Sequence, residues 1–146
     1  MVGGVTGVFG GRMADVAGRV GAQVTTVERP FGEVFSAQEI ADVVQRVRPK
    51  VVGLVHAETS TGALQPLDEI ASIVHEAGAL LVVDCVTSLA GVTVEIDRLG
   101  IDAAYSGSQK CLSCPPGLAP STLGPRALEA LDRRKAQRYS LDFINK

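Results

Sequence analysis

Two hydrophobic periodicities alternate along these 146 residues. Some stretches place apolar residues three and four apart, as on one face of a helix; others run apolar without a break, as in strands covered on both sides. Gly10 to Val20 carries Met13, Val16, Ala17 and Val20 on one face and predicts a helix. "AQVTTVER" (22–29) predicts a short strand, ended by Pro30-Phe31-Gly32. Ser36 and Glu39 match the S-x-x-E capping box and open a helix to about Val47, which Pro49 stops. "KVVGLVHAE" (50–58) predicts a buried strand, with "TSTG" (59–62) as the loop at its carboxyl end. Leu67 to Ala77 predicts a helix with Ile70, Ile73 and Val74 inward and Gly78 as its C-terminal cap. "ALLVVDCV" (79–86) and "IDAAYSGS" (101–108) predict further buried strands, and "LAPSTLG" (118–124) another. Pro125 suits the first position of a last helix, Arg126 to about Arg138. The opening residues read as the end of an element, so the chain reads as beginning inside a domain.

Buried strands alternating with amphipathic helices predict an α/β fold, layered around a mostly parallel sheet. In such sheets ligands bind at the carboxyl ends of the strands. Composition narrows the partners. Hydrophobic residues make up 46% and charged residues 21%, as in an ordinary globular domain. Net charge is −2, with no basic block, and aromatics are only 4%, which argues against nucleic acid and anionic membrane. The longest apolar runs are far too short to span a bilayer. Three cysteines, Cys85, Cys111 and Cys114, make no even disulfide framework and point to a reducing, cytoplasmic setting.

Two charged residues then stand out. Lys110 lies in the small polar loop "SGSQK", just past a buried strand. A lysine held there can be desolvated and become a nucleophile for a carbonyl; a solvated loop lysine is the plain alternative. Asp84 closes the run "LLVVD", where an acid is costly unless something holds it. A turn or cap aspartate is the alternative there. If the two strands are parallel neighbours, both residues reach one crevice. A lysine and an aspartate so placed suggest pyridoxal phosphate, held as an imine by the lysine, with its pyridinium nitrogen paired to the acid.

The remaining features are weaker. "HAETSTG" (56–62) could bring hydroxyls and His56 to the same crevice, although an ordinary Ser/Thr turn is the simpler reading. "GGVTGVFGGR" (3–12) fits neither glycine-rich phosphate motif, but Phe9 at a helix entry could stack on a ring or serve as a core residue. His75 sits near a helix C-terminus, where its charge is favourable. Cys111-x-x-Cys114 could be redox-active or half a metal site, yet no further ligands fall at useful spacing and Pro115-Pro116-Gly117 follows at once, so no metal is expected.

"HAETSTGALQPLDEI", "LLVVDCVTSLAGVTVEIDRLGIDAAYSGSQKCLSCPPGLAP" and "RRKAQRYSLDF" together resemble the class V aminotransferases among the fold-type I pyridoxal-phosphate enzymes, most of all the alanine–glyoxylate and serine–pyruvate branch. The resemblance covers essentially the whole chain. It implies that Lys110 forms the imine and later moves the proton at the substrate Cα. It implies Asp84 as partner of the ring nitrogen, Val86 against one ring face and Phe9 against the other, where a Trp is common in the family. Thr59 would bond the phenolic oxygen and Gln109 would help hold the phosphate. The cysteine loop becomes tolerated variation.

The same resemblance implies that residues 1–146 are the central part of a three-layer α/β/α large domain. The N-terminal phosphate turn, and the C-terminal small domain with its carboxylate-binding arginine, would lie outside it. It implies a homodimer acting on a small amino acid and a 2-oxo acid, with weak or no turnover from this stretch alone. Another class V reaction such as cysteine desulfuration is one alternative, and a non-catalytic remnant is the other.

Overall fold

The computed structural model describes residues 1–133. Its frame is a six-stranded sheet in the order β2-β1-β3-β6-β7-β8. The strands are β1 (Val2–Val5), β2 (Thr25–Glu28), β3 (Val51–Val55), β6 (Leu80–Asp84), β7 (Ala103–Tyr105) and β8 (Ser121–Leu123). A separate antiparallel hairpin, β4 (Ala57–Glu58) and β5 (Ala63–Leu64), follows β3. The helices are α1 (Val8–Arg19), α2 (Ala37–Val47), α3 (Asp68–Glu76) and α4 (Pro125–Asp132). All pairings in the main sheet are parallel except β7 with β8. Among the described residues no helix is long and apolar enough to cross a membrane.

Strand alternation divides the sheet into two faces. Val2, Val52, Leu54, Leu81, Val83 and Ala104 point to one face and form a single core with Ile40, Val43 and Val44 of α2 and Ile70, Ala71 and Val74 of α3. Burying each large member of this set stabilises the fold by roughly 1.5–3 kcal/mol. The other face carries α1, which seats on β1 and β3 so closely that glycines are needed. A Cβ on Gly53 would lie 2.6 Å from the Met13 sulfur, and one on Gly10 would lie 2.6 Å from the Gly4 carbonyl oxygen. The result is the expected α/β/α layering.

Several elements differ from their sequence outlines. Val2–Val5 is a full strand between β2 and β3, not the end of an element. The expected strand 50–58 divides: β3 stops at Val55, and Ala57–Glu58 turns away into the hairpin. The expected capping box of α2 is present, with the Ser36 hydroxyl accepting from the Glu39 N–H and the Glu39 carboxylate accepting from the Ser36 N–H at 2.9 Å. Gly78, just past α3, takes the left-handed φ of 71° that ends that helix. The last helix begins at Pro125, and its expected end near Arg138 lies outside the described residues.

Candidate active site

The carboxyl ends of β3, β6 and β7 lie side by side, with Val55 beside Asp84 and Asp84 beside Tyr105. Alternation along β6 turns Leu81 and Val83 into the core and Asp84 to the opposite face. There Asp84 is only 6% exposed. Two donors hold its carboxylate: the Val86 N–H reaches Oδ1 at 2.8 Å, and the Tyr105 hydroxyl reaches Oδ2 at 2.8 Å. Burial raises its pKa above the ordinary aspartate value, and the nearby charge of Glu58 adds to that; the two hydrogen bonds pull the other way. The Tyr105 phenol is pushed up as well, by burial and by the adjacent acid.

Lys110 enters from the next strand. The β7–β8 ladder continues past both strands, with Ser106 N–H donating to the Pro120 carbonyl and Ser108 N–H to the Leu118 carbonyl. Ser106 Oγ donates to the Cys85 carbonyl and Ser108 Oγ to the Pro115 carbonyl. Both serines are buried, so the loop carrying Gln109 and Lys110 is pinned at its start. Lys110 is half-buried and Gln109 exposed. The following cysteines are free. Cys111 donates from Sγ to the Thr87 carbonyl, and Cys114 is exposed. Among the described residues no group of three His, Cys, Asp or Glu side chains could hold a metal ion.

The third wall is the first turn of α1. Its N-terminal residue Gly7 has no side chain to cap the helix. The cap comes from the hairpin. Buried Glu58 accepts from the N–H groups of Phe9 and Gly10 at 3.1 Å each, and Ser60 Oγ accepts from the Val8 N–H at 3.1 Å. Glu58 also accepts from the Ser60 N–H and hydroxyl. Phe9 leaves this turn half-buried, with the Arg12 guanidinium 5.0 Å from its ring centre.

Phe9, Asp84, Val86, Gln109 and Lys110 line one cleft of about 760 Å³, so the structure brings together five of the six residues expected at a site. Tyr105 and Arg12 line it too, and sequence reading missed both. Thr59, the sixth, is not among the lining residues; its hydroxyl meets that of Thr87, next after Val86. His56 points the other way. It borders a separate pocket with Gln65, Thr93 and Arg98. His75 faces the buried Asp102 at 3.6 Å, so it is tied to the core as well as to its helix end. The cleft thus offers a buried acid, an amine and an aromatic wall, a set suited to a flat ring with a basic nitrogen and a reactive carbonyl.

A family profile described as aminotransferase class-V matches residues 12–135. The chain is 40% identical over 131 residues to the (S)-ureidoglycine–glyoxylate transaminase of Bacillus subtilis, a match covering 90% of this chain and 32% of that protein. It is 39% identical over 137 residues to the alanine–glyoxylate aminotransferase of Rattus norvegicus, covering 94% of this chain and 33% of the relative. The crystal structure of a Nostoc alanine–glyoxylate aminotransferase superposes with a TM-score of 0.96 at 47% identity, over 99% of this chain and 40% of that one. The chain spans about a third of the length of the curated relatives it matches. It belongs to the class-V aminotransferase family.

Proposed function

We propose that this chain carries the cofactor-binding core of a pyridoxal-phosphate-dependent aminotransferase that moves an amino group from alanine or serine to glyoxylate or pyruvate. The observation that carries the reading is the placement of Asp84 at the end of β6 and of Lys110 in the loop that follows neighbouring β7, in one cleft walled by Phe9. The glyoxylate and alanine in the names of the similar proteins support the substrate class. Residues 1–146 would then be part of a large domain in a homodimer, as the family resemblance implies, and the three free cysteines support a reducing, cytoplasmic setting.

The residues fit the cofactor. Asp84 is buried, faces the cleft and holds a proton more tightly than a free aspartate, which suits sharing one with a ring nitrogen. Lys110, whose amine lines the cleft, would hold the cofactor. Phe9 and Val86 would flank its ring and Gln109 would contribute at its phosphate, while Thr59, bonded to Thr87 outside the lining, would reach its phenolic oxygen. When bound, pyridoxal phosphate supplies the electron sink that makes the substrate Cα–H acidic. Lys110 Nζ, which lines the same cleft, would accept that proton and hand it back.

The test is chemical. The chain is incubated with pyridoxal phosphate, reduced with borohydride and mapped by peptide mass spectrometry. The label is expected on Lys110 and is lost in Lys110→Ala. Equal labelling of parent and variant, or label on Lys50 instead, overturns the assignment.

A further inference from the structure

Glu58 lies outside the residues that line the cleft, yet it is among the most buried charged groups of the molecule, at 1% exposure. We infer that Glu58 is a positioning residue: with Ser60 it clamps the first turn of α1 to the β4–β5 hairpin, and so fixes where Phe9 stands relative to Thr59. The inference rests on the function proposed above, in which those two residues hold the cofactor.

The geometry is reciprocal. Thr59 lies between Glu58 and Ser60, and the side chains of both neighbours bond α1, while the Glu58 backbone keeps its place opposite Ala63 in the hairpin. Ser60 Oγ takes the Val8 N–H, while Glu58 Oε2 takes those of Phe9 and Gly10. Three first-turn donors are therefore satisfied from a segment about fifty positions away in sequence, and Phe9 is one of them. Glu58 Oε1 closes the clamp by accepting from the Ser60 hydroxyl at 2.7 Å and the Ser60 N–H at 3.1 Å. The carboxylate also places negative charge at the positive end of the helix.

Nothing local can replace it. A Cβ on Gly7 would lie 2.3 Å from Glu58 Cγ and 2.6 Å from Ser60 Oγ, so α1 has no room for a side-chain cap of its own. The helix α2, by contrast, caps itself with Ser36 and Glu39. The first turn of α1 is built to be held from outside, and the holder is the segment that also presents Thr59.

The experiment reads the clamp and its consequence separately. Amide hydrogen exchange is followed by NMR in the cofactor-free chain, and pyridoxal phosphate is titrated against the indole fluorescence of a Phe9→Trp reporter, since the chain has no tryptophan. In Glu58→Ala, exchange at Phe9 and Gly10 is expected to rise about tenfold or more while Val82 and Val83 in β6 stay at the parent rate. Cofactor affinity is expected to fall about tenfold as the wall loosens. Glu58→Gln, which keeps one accepting oxygen, is expected to fall between the parent and the alanine variant in both readouts, distinct from each.

If the alanine variant does not fold, the glutamine variant decides alone. Its amide nitrogen must face either the α1 donors or Ser60, so exchange rises at one of those places. Parent-like exchange at all of them overturns the clamp. Raised exchange with parent-like affinity reduces Glu58 to a helix cap and overturns the positioning role. A parent chain that takes up no pyridoxal phosphate overturns the functional reading instead, and the clamp is then judged by exchange alone.

Discussion

The cleft is organised around Asp84, whose carboxylate accepts from the Val86 N–H and the Tyr105 hydroxyl. An acid closing an apolar strand must be held by something, and the sequence offered a cofactor nitrogen as the holder. The structure adds Tyr105, whose hydroxyl donates to Oδ2 across the β6–β7 pairing. In "IDAAYSGS" that tyrosine reads as strand filler, because its role arises only from the register that sets it beside Asp84. A hydrogen bond to the charged form favours that form, so Tyr105 holds the Asp84 proton affinity down against burial. Tyr105→Phe is therefore expected to move the Asp84 titration upward, read from the carboxyl carbon shift. A titration that stays put or moves down means the hydroxyl does not act on the carboxylate. Glu58 escaped for the opposite reason. The triplet Thr59-Ser60-Thr61 drew attention as a hydroxyl turn, while the acid before it, caged in small residues, was the stronger signal.

At the scale of elements, α2 and α1 show where local sequence suffices. Helix α2 starts where Ser36 and Glu39 say it does, because its cap is its own. Helix α1 starts at Val8, before the expected Gly10, because its cap arrives from the hairpin. The strand before it was missed altogether: two of the four residues in "VGGV" are glycines, which carry little strand signal, and they are there because α1 and Phe35 press against the backbone. Two of the three glycines inside α1, Gly10 and Gly18, give a matched test. A Cβ on Gly18 meets nothing within 4 Å, so Gly18→Ala should stabilise by roughly 0.5–1 kcal/mol through helix propensity. A Cβ on Gly10 would strike backbone, the Gly4 carbonyl oxygen at 2.6 Å and Val5 Cα at 2.9 Å. Gly10→Ala should therefore destabilise by about 2 kcal/mol despite the same propensity gain. Urea denaturation midpoints check both, and midpoints that shift in the same direction refute the close-packing account.

For the whole molecule, the alternation of buried strands and one-sided helices was enough to read a parallel α/β sheet with its chemistry at the strand carboxyl ends. It could not show that β8 runs antiparallel, since an apolar run has no direction, nor that His56 faces a different pocket from the cleft. Those two buried ionisable groups, Asp84 and His56, now set opposing slopes in the stability of the fold. Asp84 has a raised pKa, so between 3.8 and its folded value the native state holds a proton that the unfolded chain has released. Stability contributed by Asp84 thus falls as pH rises through that window, and the cost is complete above it. His56 is lowered by burial, and its Nδ1 has no hydrogen-bond partner. Between its folded value and 6.5 the unfolded chain binds a proton that the native state refuses, so stability falls as pH drops through that window. In Asp84→Asn the amide oxygen can accept from Val86 and the amide N–H can donate to Tyr105. That variant should melt above the parent near pH 7, by ~3 °C, and the advantage should shrink as the pH approaches about 4. His56→Gln should flatten the parent's loss below about pH 6.5 without changing the Asp84 difference, because the two side chains face opposite sides of the sheet. Thermal melts of the four combinations decide it: an Asp84→Asn advantage that is constant with pH, or one that depends on residue 56, would show that the acid in the cleft carries no burial cost of its own. A cost relieved by removing the charge is what the proposed role of Asp84 at a ring nitrogen predicts.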